Sequence, residues 1–555
     1  LRCVGVANED FGFALGFDSV EHPRRQFKVP VDAAKVRLSS FFRSYTKLCG
    51  HNVNLYDRPV LTRHGIYIPE PKDLVDTILL SHIADSELPN DLSYLTSRYT
   101  DAPSWKPTDH EHWNSDDELH FYCVTDCCVT ARLLPALSKE VKDTNQERVY
   151  WADIGLQELC LGMHRAGMLI DQDERARHEA RLRVQIEKAK EDAKALLGRD
   201  INLFSHEQVR DYLFDDLKLP LPSLLTDSGE PSTKRDSLYE LLQMAIPDLA
   251  RQFIGILIDA KSAGRALSKD VLGLVLSKDG RVHSTWSPHT TVTGRLSSTN
   301  NNVQNIPSTK FDSDSLRSMY TAAPGSLLVS CDLEQVELRL VALLTGDDLW
   351  LDAFEKELDV HKVNAATFFD TSYDAVEKYQ RNFAKTLTYL YLYGGGAKKA
   401  LLQMRQVRDP ATKNRPYANL TLMQARVARN KLLKDHPKLQ DWWQKQVDTF
   451  KCDYMLRSVV LGRARRFLDA AEDDSEYRSE IINYQIQSTT SDVMFFAAKK
   501  AIKVIGWPWT GAKGLGGAGI INQCHDSLTV EVAEDNAEKA KKLLKDAMYY
   551  EIEHE

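Results

Sequence analysis

Residues 326–344 read SLLVSCDLEQVELRLVALL, and this stretch decides which fold the chain can adopt. Its first half is an apolar run typical of a strand, and Asp332 stands where that run ends. Its second half carries apolar residues three or four apart, which predicts a helix. The stretch therefore predicts a strand that delivers one carboxylate to its end and then runs into a helix.

A second stretch, GIINQCHDSLTVEV at residues 519–532, predicts two strands around a tight turn that carries His525 and Asp526. On neighbouring strands of one sheet, Asp332 and Asp526 can hold two divalent cations about 3.5 to 4 Å apart, as phosphoryl displacement requires. Oxygen ligands favour Mg²⁺, with Mn²⁺ as a substitute. Taken alone, this pairing is a weak signal, because surface turns commonly carry aspartate.

Between these stretches lies RNFAKTLTYLYLYGGG at residues 381–396. Arg381, Lys385, Tyr389 and Tyr393 are each four residues apart, so all four lie within about 120° of one helix face. Arginine and lysine suit the phosphates of a triphosphate, and aromatic faces stack on bases without reading sequence. A solvated charged face with core tyrosines is the alternative if this helix is considered alone.

Composition limits the possible classes of function but does not select one. The 555 residues predict two to four domains, at roughly 150 residues each. The net charge of −8 does not exclude nucleic acid, because phosphate contacts need only a local basic groove, and Arg463, Arg465 and Arg466 form one basic cluster. Nine irregularly spaced cysteines without a CxxC pair favour a reduced intracellular setting. No apolar run is long enough to predict a transmembrane helix.

Taken together, these stretches resemble family A DNA polymerases, the group of bacterial polymerase I and the replicative polymerases of short-tailed phages. DLEQVELR (332–339) resembles motif A of that family, RNFAKTLTYLYLYGG motif B, and CHDSLTVEV motif C. Further stretches occur in the order that the family shows: GMLID, GEPSTKRDSL, TGRLSSTNNNVQNIPS, GRARR and INYQIQST.

The resemblance implies a role for each matching residue. Asp332 and Asp526 would be the catalytic metal ligands, and Lys385 and Arg381 would be further catalytic residues. Arg381 and Lys385 would bind the triphosphate of the incoming nucleotide. Tyr389 and Tyr393 would pack on its sugar and base, and Glu337 would lie at the 2′ position of its sugar. Gln335 and His361 would also lie at the nucleotide. Contacts to primer and template are implied for Arg295, Gln304, Asn305, Asn483, Gln487 and His525.

The fold class implied is a mixed α/β and α+β multidomain chain, in which a ribonuclease-H-like 3′–5′ exonuclease domain precedes a right-hand polymerase. We expect the exonuclease-like domain at residues 1–148, where FGFALGF predicts a strand and HFYCVTDCCVTARLLPAL predicts a helix. The thumb is expected at 149–283, where a long charged helix could by itself also be a coiled-coil arm or a spacer. The palm would be 284–345 with 479–555, and the fingers 346–478, a stretch that the sequence predicts to be a long helical block.

In the N-terminal domain, HNVNLYDRPVL resembles the second exonuclease motif, with Asp57 as a metal ligand. YCVTD resembles the third, with Tyr122 orienting water and Asp126 binding metal; Asp76 also matches, for a structural reason. The first motif, Asp-x-Glu, is absent. We therefore expect a fragment cut at its N-terminus, and also at its C-terminus, with little or no exonuclease activity as it stands.

Three residues depart from the family pattern. Ser527 replaces the usual motif C glutamate, and Leu390 replaces the motif B glycine, where it is expected to tighten the helix against the template base. Glu334 replaces a small polar residue beside Asp332, and one hypothesis is that it compensates for Ser527. Tyr389 resembles the family branch that accepts dideoxynucleotides.

Two rival functions remain from the sequence. A single-subunit RNA polymerase is disfavoured by Glu337 and the exonuclease-like domain, and a non-catalytic DNA-binding scaffold by the intact Asp332, Asp526, Arg381 and Lys385. The partners implied are primer-template DNA and dNTPs, with a replicative helicase or primase left open. We expect a monomer that acts in the cytoplasm of a bacterium or phage-infected cell, with an organelle left open, and not at a membrane.

Overall fold

The computed structural model describes most of the chain in continuous stretches. The described residues are 3–9, 11–16, 31–106, 116–226, 228–242, 244–306, 315–405, 407, 417, 420–468, 474–506 and 519–549. Among them, no helix combines the length and the apolar character that crossing a membrane requires.

The strands are β1 (Cys3–Ala7), β2 (Gly12–Gly16), β3 (Leu48–Gly50), β4 (Leu74–Asp76), β5 (Met168–Ile170), β6 (Arg281–Val282), β7 (Thr285–Ser287), β8 (Ser297–Thr299), β9 (Tyr320–Thr321), β10 (Ser326–Asp332), β11 (Met455–Arg457), β12 (Ala464–Arg466), β13 (Gly519–Cys524) and β14 (Ser527–Ala533). The helices are α1 (Val31–Ser44), α2 (Asp57–Arg63), α3 (Thr77–Ala84), α4 (Leu92–Tyr99), α5 (Asp116–Asp143), α6 (Glu147–Ala166), α7 (Gln172–Leu197), α8 (His206–Arg210), α9 (Arg235–Leu241), α10 (Asp248–Arg265), α11 (Val336–Thr345), α12 (Asp348–Glu355), α13 (Val360–Phe369), α14 (Lys378–Leu392), α15 (Ala397–Met404), α16 (Leu422–Asp435), α17 (Pro437–Asp453), α18 (Asp474–Ile505) and α19 (Ala537–Met548).

The chain divides into two compact units. The larger contains Leu1–Ala166, Thr285–Thr299 and Leu328–Glu555, and the smaller contains Gly167–Ser284 and Asn300–Leu327. The finer division into exonuclease-like domain, thumb, palm and fingers stays a prediction.

In the N-terminal part of the larger unit, the four described strands form two separate pairs. β1 and β2 are antiparallel, whereas β3 and β4 are parallel. The core beneath them includes Val4, Leu38, Phe42, Ile66 and Leu74. The strand predicted from FGFALGF is β2, and the helix predicted around YCVTD is α5. A single ribonuclease-H-like sheet stays a prediction.

The smaller unit is built on two long helices, α7 and α10. Asp171 caps the start of α7 by accepting the backbone N–H groups of Asp173 and Glu174, each at 3.0 Å. Gly198 ends the helix with φ +67°, a left-handed conformation that costs glycine little. The helix predicted from the charged periodic stretch is therefore confirmed.

In the rest of the larger unit, a three-stranded sheet has the order β10-β14-β13. Helices α11 to α17 fill most of residues 336–453, as the sequence predicts for the block after 346. An antiparallel hairpin, β11-β12, interrupts that block, and Met455 lies opposite Arg466 in it. The helical prediction for residues 346–478 was therefore wrong at this hairpin.

Candidate active site

Asp332 and Asp526 lie side by side at one end of the sheet. Asp332 is the last residue of β10, and Asp526 lies in the two-residue turn between β13 and β14, where Cys524 and Ser527 are paired. The backbone N–H of Leu333 donates to the carbonyl oxygen of Asp526 at 2.9 Å. The strand-end aspartate and the hairpin aspartate predicted from sequence are thus neighbours in space.

The turn that carries Asp526 is strained and held by its own side chains. His525 has φ +53°, a left-handed conformation that costs a residue with a Cβ about 1–2 kcal/mol. The hydroxyl of Ser527 donates to the carbonyl oxygen of Cys524 at 2.9 Å, across the base of the turn. Ser527, which departs from the family pattern, therefore closes the hairpin.

Negative charge accumulates around this turn. Burial raises the pKa of Asp526, and the carboxylate of Glu337 raises it further. Burial raises the pKa of Tyr389 to about 12, with further contributions from Glu337, Asp526 and Asp332. Because charge interactions weaken with distance, Tyr389 and the three carboxylates belong to one site.

The side chains at this point suit hard divalent cations. Asp332 is exposed and Asp526 is partly exposed, so both can be reached from solvent. Within the described stretches, no group of three or more His, Cys, Asp or Glu side chains forms a ready-made metal cage. Mg²⁺ is commonly held by one or two carboxylates while substrate phosphates and water complete its shell. Two aspartates fit that pattern.

Glu337 connects motif A to the end of the motif B helix. It accepts a hydrogen bond from Arg295 Nη2 at 2.5 Å and another from the hydroxyl of Tyr393. Burial raises the pKa of Tyr393, as does the charge of Glu337. Gln335, the N-cap of α11, has φ +55°, and its buried Oε1 lacks a hydrogen-bond partner among the described residues.

The helix predicted from motif B is α14, and it ends at Leu392, one residue before Tyr393. The Nε of Arg381 donates to Oδ2 of Asp359 at 2.5 Å. The Nζ of Lys385 lies 5.9 Å from the ring centroid of Tyr389. Three of the four predicted residues therefore lie in the helix, and Tyr393 follows it.

His361 lies against this helix in a buried position. His361 is only 1% exposed, and its ring centroid lies 5.5 Å from that of Tyr389. Burial lowers the pKa of His361 to about 4, so the ring is neutral near pH 7. Neither ring nitrogen has a hydrogen-bond partner among the described residues.

Sequence reasoning missed two residues at this site, one that caps α13 and one within that helix. Asp359 is the N-cap of α13; burial alone raises its pKa, but the hydrogen bond and charge of Arg381 bring it below the ordinary value. Asn364 accepts from Trp350 Nε1 at 3.2 Å and donates to Thr388 Oγ1 at 2.8 Å. An aspartate just before a helical pattern was a usable signal for the cap; Asn364 carried none.

The residues predicted to contact DNA are distributed over several elements. Arg295 lies between β7 and β8, Asn483 and Gln487 lie in α18, and His525 lies in the turn that carries Asp526. The amide Oδ1 of Asn483 is buried without a hydrogen-bond partner among the described residues. Gln304 and Asn305 belong to the smaller unit, where both backbone N–H groups donate to Asn302 Oδ1 at 3.2 Å.

Leu390, which departs from the motif B pattern, lies in a buried position. Its side chain is buried in a core cluster with Phe383, Tyr391 and Met404. A Cβ on Gly395 would lie 2.6 Å from the Leu390 carbonyl oxygen and 2.7 Å from its Cγ. Leu390 therefore packs inside the helical block against a glycine, and its effect on a template base stays a prediction.

The basic cluster in the β11-β12 hairpin is not an open phosphate-binding surface. Arg463 is buried and bonds to both carboxylate oxygens of Asp153, at 2.9 and 2.7 Å. Arg465 is also buried and donates to Glu87 and Glu480. These two arginines join distant parts of the larger unit, so their charges are already neutralised within the protein.

The exonuclease-like residues lie near one another in the N-terminal part. Burial raises the pKa of Asp57 to about 7, and the charges of Asp76 and Asp126 raise it further. Asp126 accepts a hydrogen bond from Trp105 Nε1 at 2.7 Å. Burial raises the pKa of Tyr122, and the charge of Asp126 raises it further. Asp76 is fully buried and caps α3, in line with a structural role.

Comparison with known proteins supports this picture. The model of the DNA polymerase family A matches residues 172–555. DNA polymerase I of Chloroflexus aurantiacus is 29% identical over 441 residues, which cover 77% of this chain and 44% of that protein. DNA polymerase I of Borreliella burgdorferi is 22% identical over 523 residues, which cover 92% and 54%. The chain spans about half the length of these relatives.

A solved structure extends the comparison to the fold. The POL domain of Pol1 from M. smegmatis, in complex with DNA primer-template and dNTP, matches with a TM-score of 0.77 and 23% identity, covering 94% of this chain and 86% of that one. The mixed, mostly helical architecture is thus that of a right-hand polymerase domain. Since the family model matches more than half of the residues, the chain belongs to DNA polymerase family A.

Proposed function

We propose that this chain is a template-directed DNA polymerase that adds dNTPs to the 3′ end of a primer. The observation that carries the proposal is the meeting of Asp332 and Asp526 at one end of a sheet, beside the helix that presents Arg381, Lys385 and Tyr389. The names of the relatives and the DNA and dNTP bound to the similar structure support the same assignment.

Asp332 and Asp526 would hold two Mg²⁺ ions, or Mn²⁺ in their place. When bound, the ions would activate the primer hydroxyl and neutralise charge on the phosphates. The other residues bind and orient: the primer 3′ hydroxyl attacks the α-phosphate in line, and pyrophosphate leaves. Catalysis then depends on positioning and on charge stabilisation.

The nucleotide would be held along α14. Arg381 and Lys385 would bind the triphosphate, with the neutral ring of His361 nearby and Gln335 beside the sugar. Tyr389 and Tyr393 would pack on sugar and base. Arg295, Gln304, Asn305, Asn483, Gln487 and His525 would contact primer and template, largely through the backbone, because specificity comes from base-pair geometry.

The thumb, palm and fingers would have the bounds predicted from sequence, and residues 1–148 would be a ribonuclease-H-like exonuclease domain that uses Asp57, Tyr122 and Asp126. The chain would act as a monomer on primer-template DNA. A helicase or primase partner and a cytoplasmic location belong to the same proposal.

Primer extension tests the function directly. The chain is incubated with a primer annealed to a longer template, Mg²⁺ and either dNTPs or rNTPs. Template-dependent extension with dNTPs supports the proposal. Extension that prefers rNTPs identifies an RNA polymerase, and binding of DNA without any extension identifies a non-catalytic scaffold; either result overturns the proposal.

Replacing Glu337 with alanine is expected to raise the incorporation of rNTPs relative to dNTPs by about a hundredfold, equivalent to ~2.7 kcal/mol. The carboxylate stands at the proposed 2′ position, and its removal leaves space for a ribose hydroxyl. The measurement is single-nucleotide incorporation with matched dNTP and rNTP. Glu334→Ala, an exposed carboxylate of the same motif, serves as the control and should leave the ratio unchanged. An unchanged ratio in Glu337→Ala contradicts the placement.

Replacing Tyr389 with phenylalanine is expected to raise discrimination against dideoxynucleotides by about tenfold or more, equivalent to ~1.4 kcal/mol. We attribute this to the phenolic hydroxyl, which can supply the hydrogen bond that a missing 3′ hydroxyl leaves unmade. Competition between dNTP and ddNTP on one primer measures the effect. Tyr391→Phe makes the same change where the hydroxyl donates to the carbonyl of Ala425, and should have no effect on the ratio.

A further inference from the structure

Arg381, which the proposed function assigns to the triphosphate, is held by a carboxylate that the sequence did not single out. Oδ2 of Asp359 accepts a hydrogen bond from Nε of Arg381 at 2.5 Å. The two side chains are 26% and 31% exposed, so the pair is partly shielded from water. A charge-assisted hydrogen bond in such a setting is stronger than one on an open surface.

Asp359 is itself fixed by the helix that it starts. Its Oδ1 accepts the backbone N–H groups of His361 and Lys362, at 2.9 and 3.3 Å. One oxygen therefore caps α13 while the other holds Arg381 of α14. A single carboxylate thus ties the start of one helix to the guanidinium of the next.

The helix that carries this cap is anchored to α14 at a second point. Asn364 donates to Thr388 Oγ1 at 2.8 Å, and all of this contact is buried. Thr388 lies about two turns beyond Arg381 along α14. With contacts at both points, α13 is positioned along the face of α14, and Asp359 cannot easily move away from Arg381.

The way in which Asp359 holds Arg381 suits phosphate binding. A guanidinium is planar and has five N–H donors, of which this hydrogen bond uses the one on Nε. The terminal nitrogens carry the other four, and such a pair can bind a phosphate through two parallel hydrogen bonds. Fixing the plane in advance reduces the side-chain entropy that nucleotide binding would otherwise remove.

We propose that Asp359 is a positioning residue for nucleotide binding, which orients the guanidinium of Arg381 before the triphosphate arrives. This inference rests on the proposed function and adds one residue to its nucleotide site. Asp359 acts through Arg381 and does not itself contact the substrate. Its loss should therefore weaken dNTP binding and leave the chemical step almost unchanged.

The decisive variant is Asp359→Asn, because asparagine caps a helix as well as aspartate but carries no charge. The KM for dNTP is expected to rise about fivefold to tenfold while kcat stays within about twofold. Asp359→Glu keeps the carboxylate and should bring KM back to within about threefold of the unaltered protein. Asp91→Asn makes the same change at the cap of α4, where Asp91 accepts the N–H of Tyr94 at 3.0 Å, and should leave KM unchanged.

A second comparison separates positioning from a general structural effect. In a chain that already carries Arg381→Ala, adding Asp359→Asn should have no further effect on KM, because the two residues act as one unit. A KM that is unchanged or lower in Asp359→Asn overturns the inference, as does an equal effect in the Arg381→Ala background. A KM that stays as high in Asp359→Glu as in Asp359→Asn overturns it too. If the unaltered chain extends primers, such results leave the proposed function standing; if it does not, the function itself fails.

Discussion

Primer extension is expected to fall by about a thousandfold when Asp526 is replaced by asparagine. The amide is almost the same size as the carboxylate but is neutral, so it neither neutralises a divalent cation nor matches its preference for charged oxygen. Asp332 alone would then remain at the end of the sheet. Single-turnover extension of a labelled primer with saturating dNTP measures the loss in the chemical step.

The fold should tolerate this substitution. Burial and then Glu337 raise the pKa of Asp526 above its unfolded value, so the ionised carboxylate is less favourable in the folded chain than in the unfolded one. For a carboxyl shifted in this direction, stability is lost as pH rises through the window between the two pKa values. At pH 7 the asparagine variant should therefore melt at the same temperature as the unaltered chain or higher.

A matched control distinguishes the active site from a general loss of acidity. Asp535→Asn changes an exposed carboxylate in the turn that follows β14 and should leave extension unchanged. Extension by Asp526→Asn within about tenfold of the unaltered rate would remove the basis of the proposed mechanism.

Replacing Lys385 with alanine is the second change with a large expected effect, a fall in kcat/KM for dNTP of about a hundredfold to a thousandfold. The ammonium group would supply a point charge to the triphosphate, and alanine removes it while preserving the helix. Steady-state incorporation over a range of dNTP concentrations provides the measurement.

Lys378→Ala is the control for this prediction. Lys378 lies at the first turn of the same helix, seven residues or about 10 Å along the axis from Lys385. The same loss of charge there should change kcat/KM by less than about threefold. Similar losses in both variants would indicate that the overall charge of α14, and not the position of Lys385, governs nucleotide use.

The sequence determined the local elements by itself. The apolar run ending at Asp332, the hairpin around Asp526 and the helix beginning near Arg381 all occur where their patterns predict them. Such patterns are readable because a strand's alternation, a helix's periodicity and a cap depend on residues a few positions apart. Motif order added the family, which the comparisons confirm.

Only the tertiary structure decided which distant residues meet. Asp332 and Asp526 lie almost two hundred residues apart in the chain, yet the backbone of Leu333 is bonded to Asp526. Arg463 belongs to a basic cluster that the sequence offered for phosphate contacts. It is instead buried against Asp153, which lies 310 residues earlier in the chain. Arg381 likewise forms its ion pair with Asp359. These pairings follow from which faces pack together to bury apolar surface, and no short stretch of sequence contains that information.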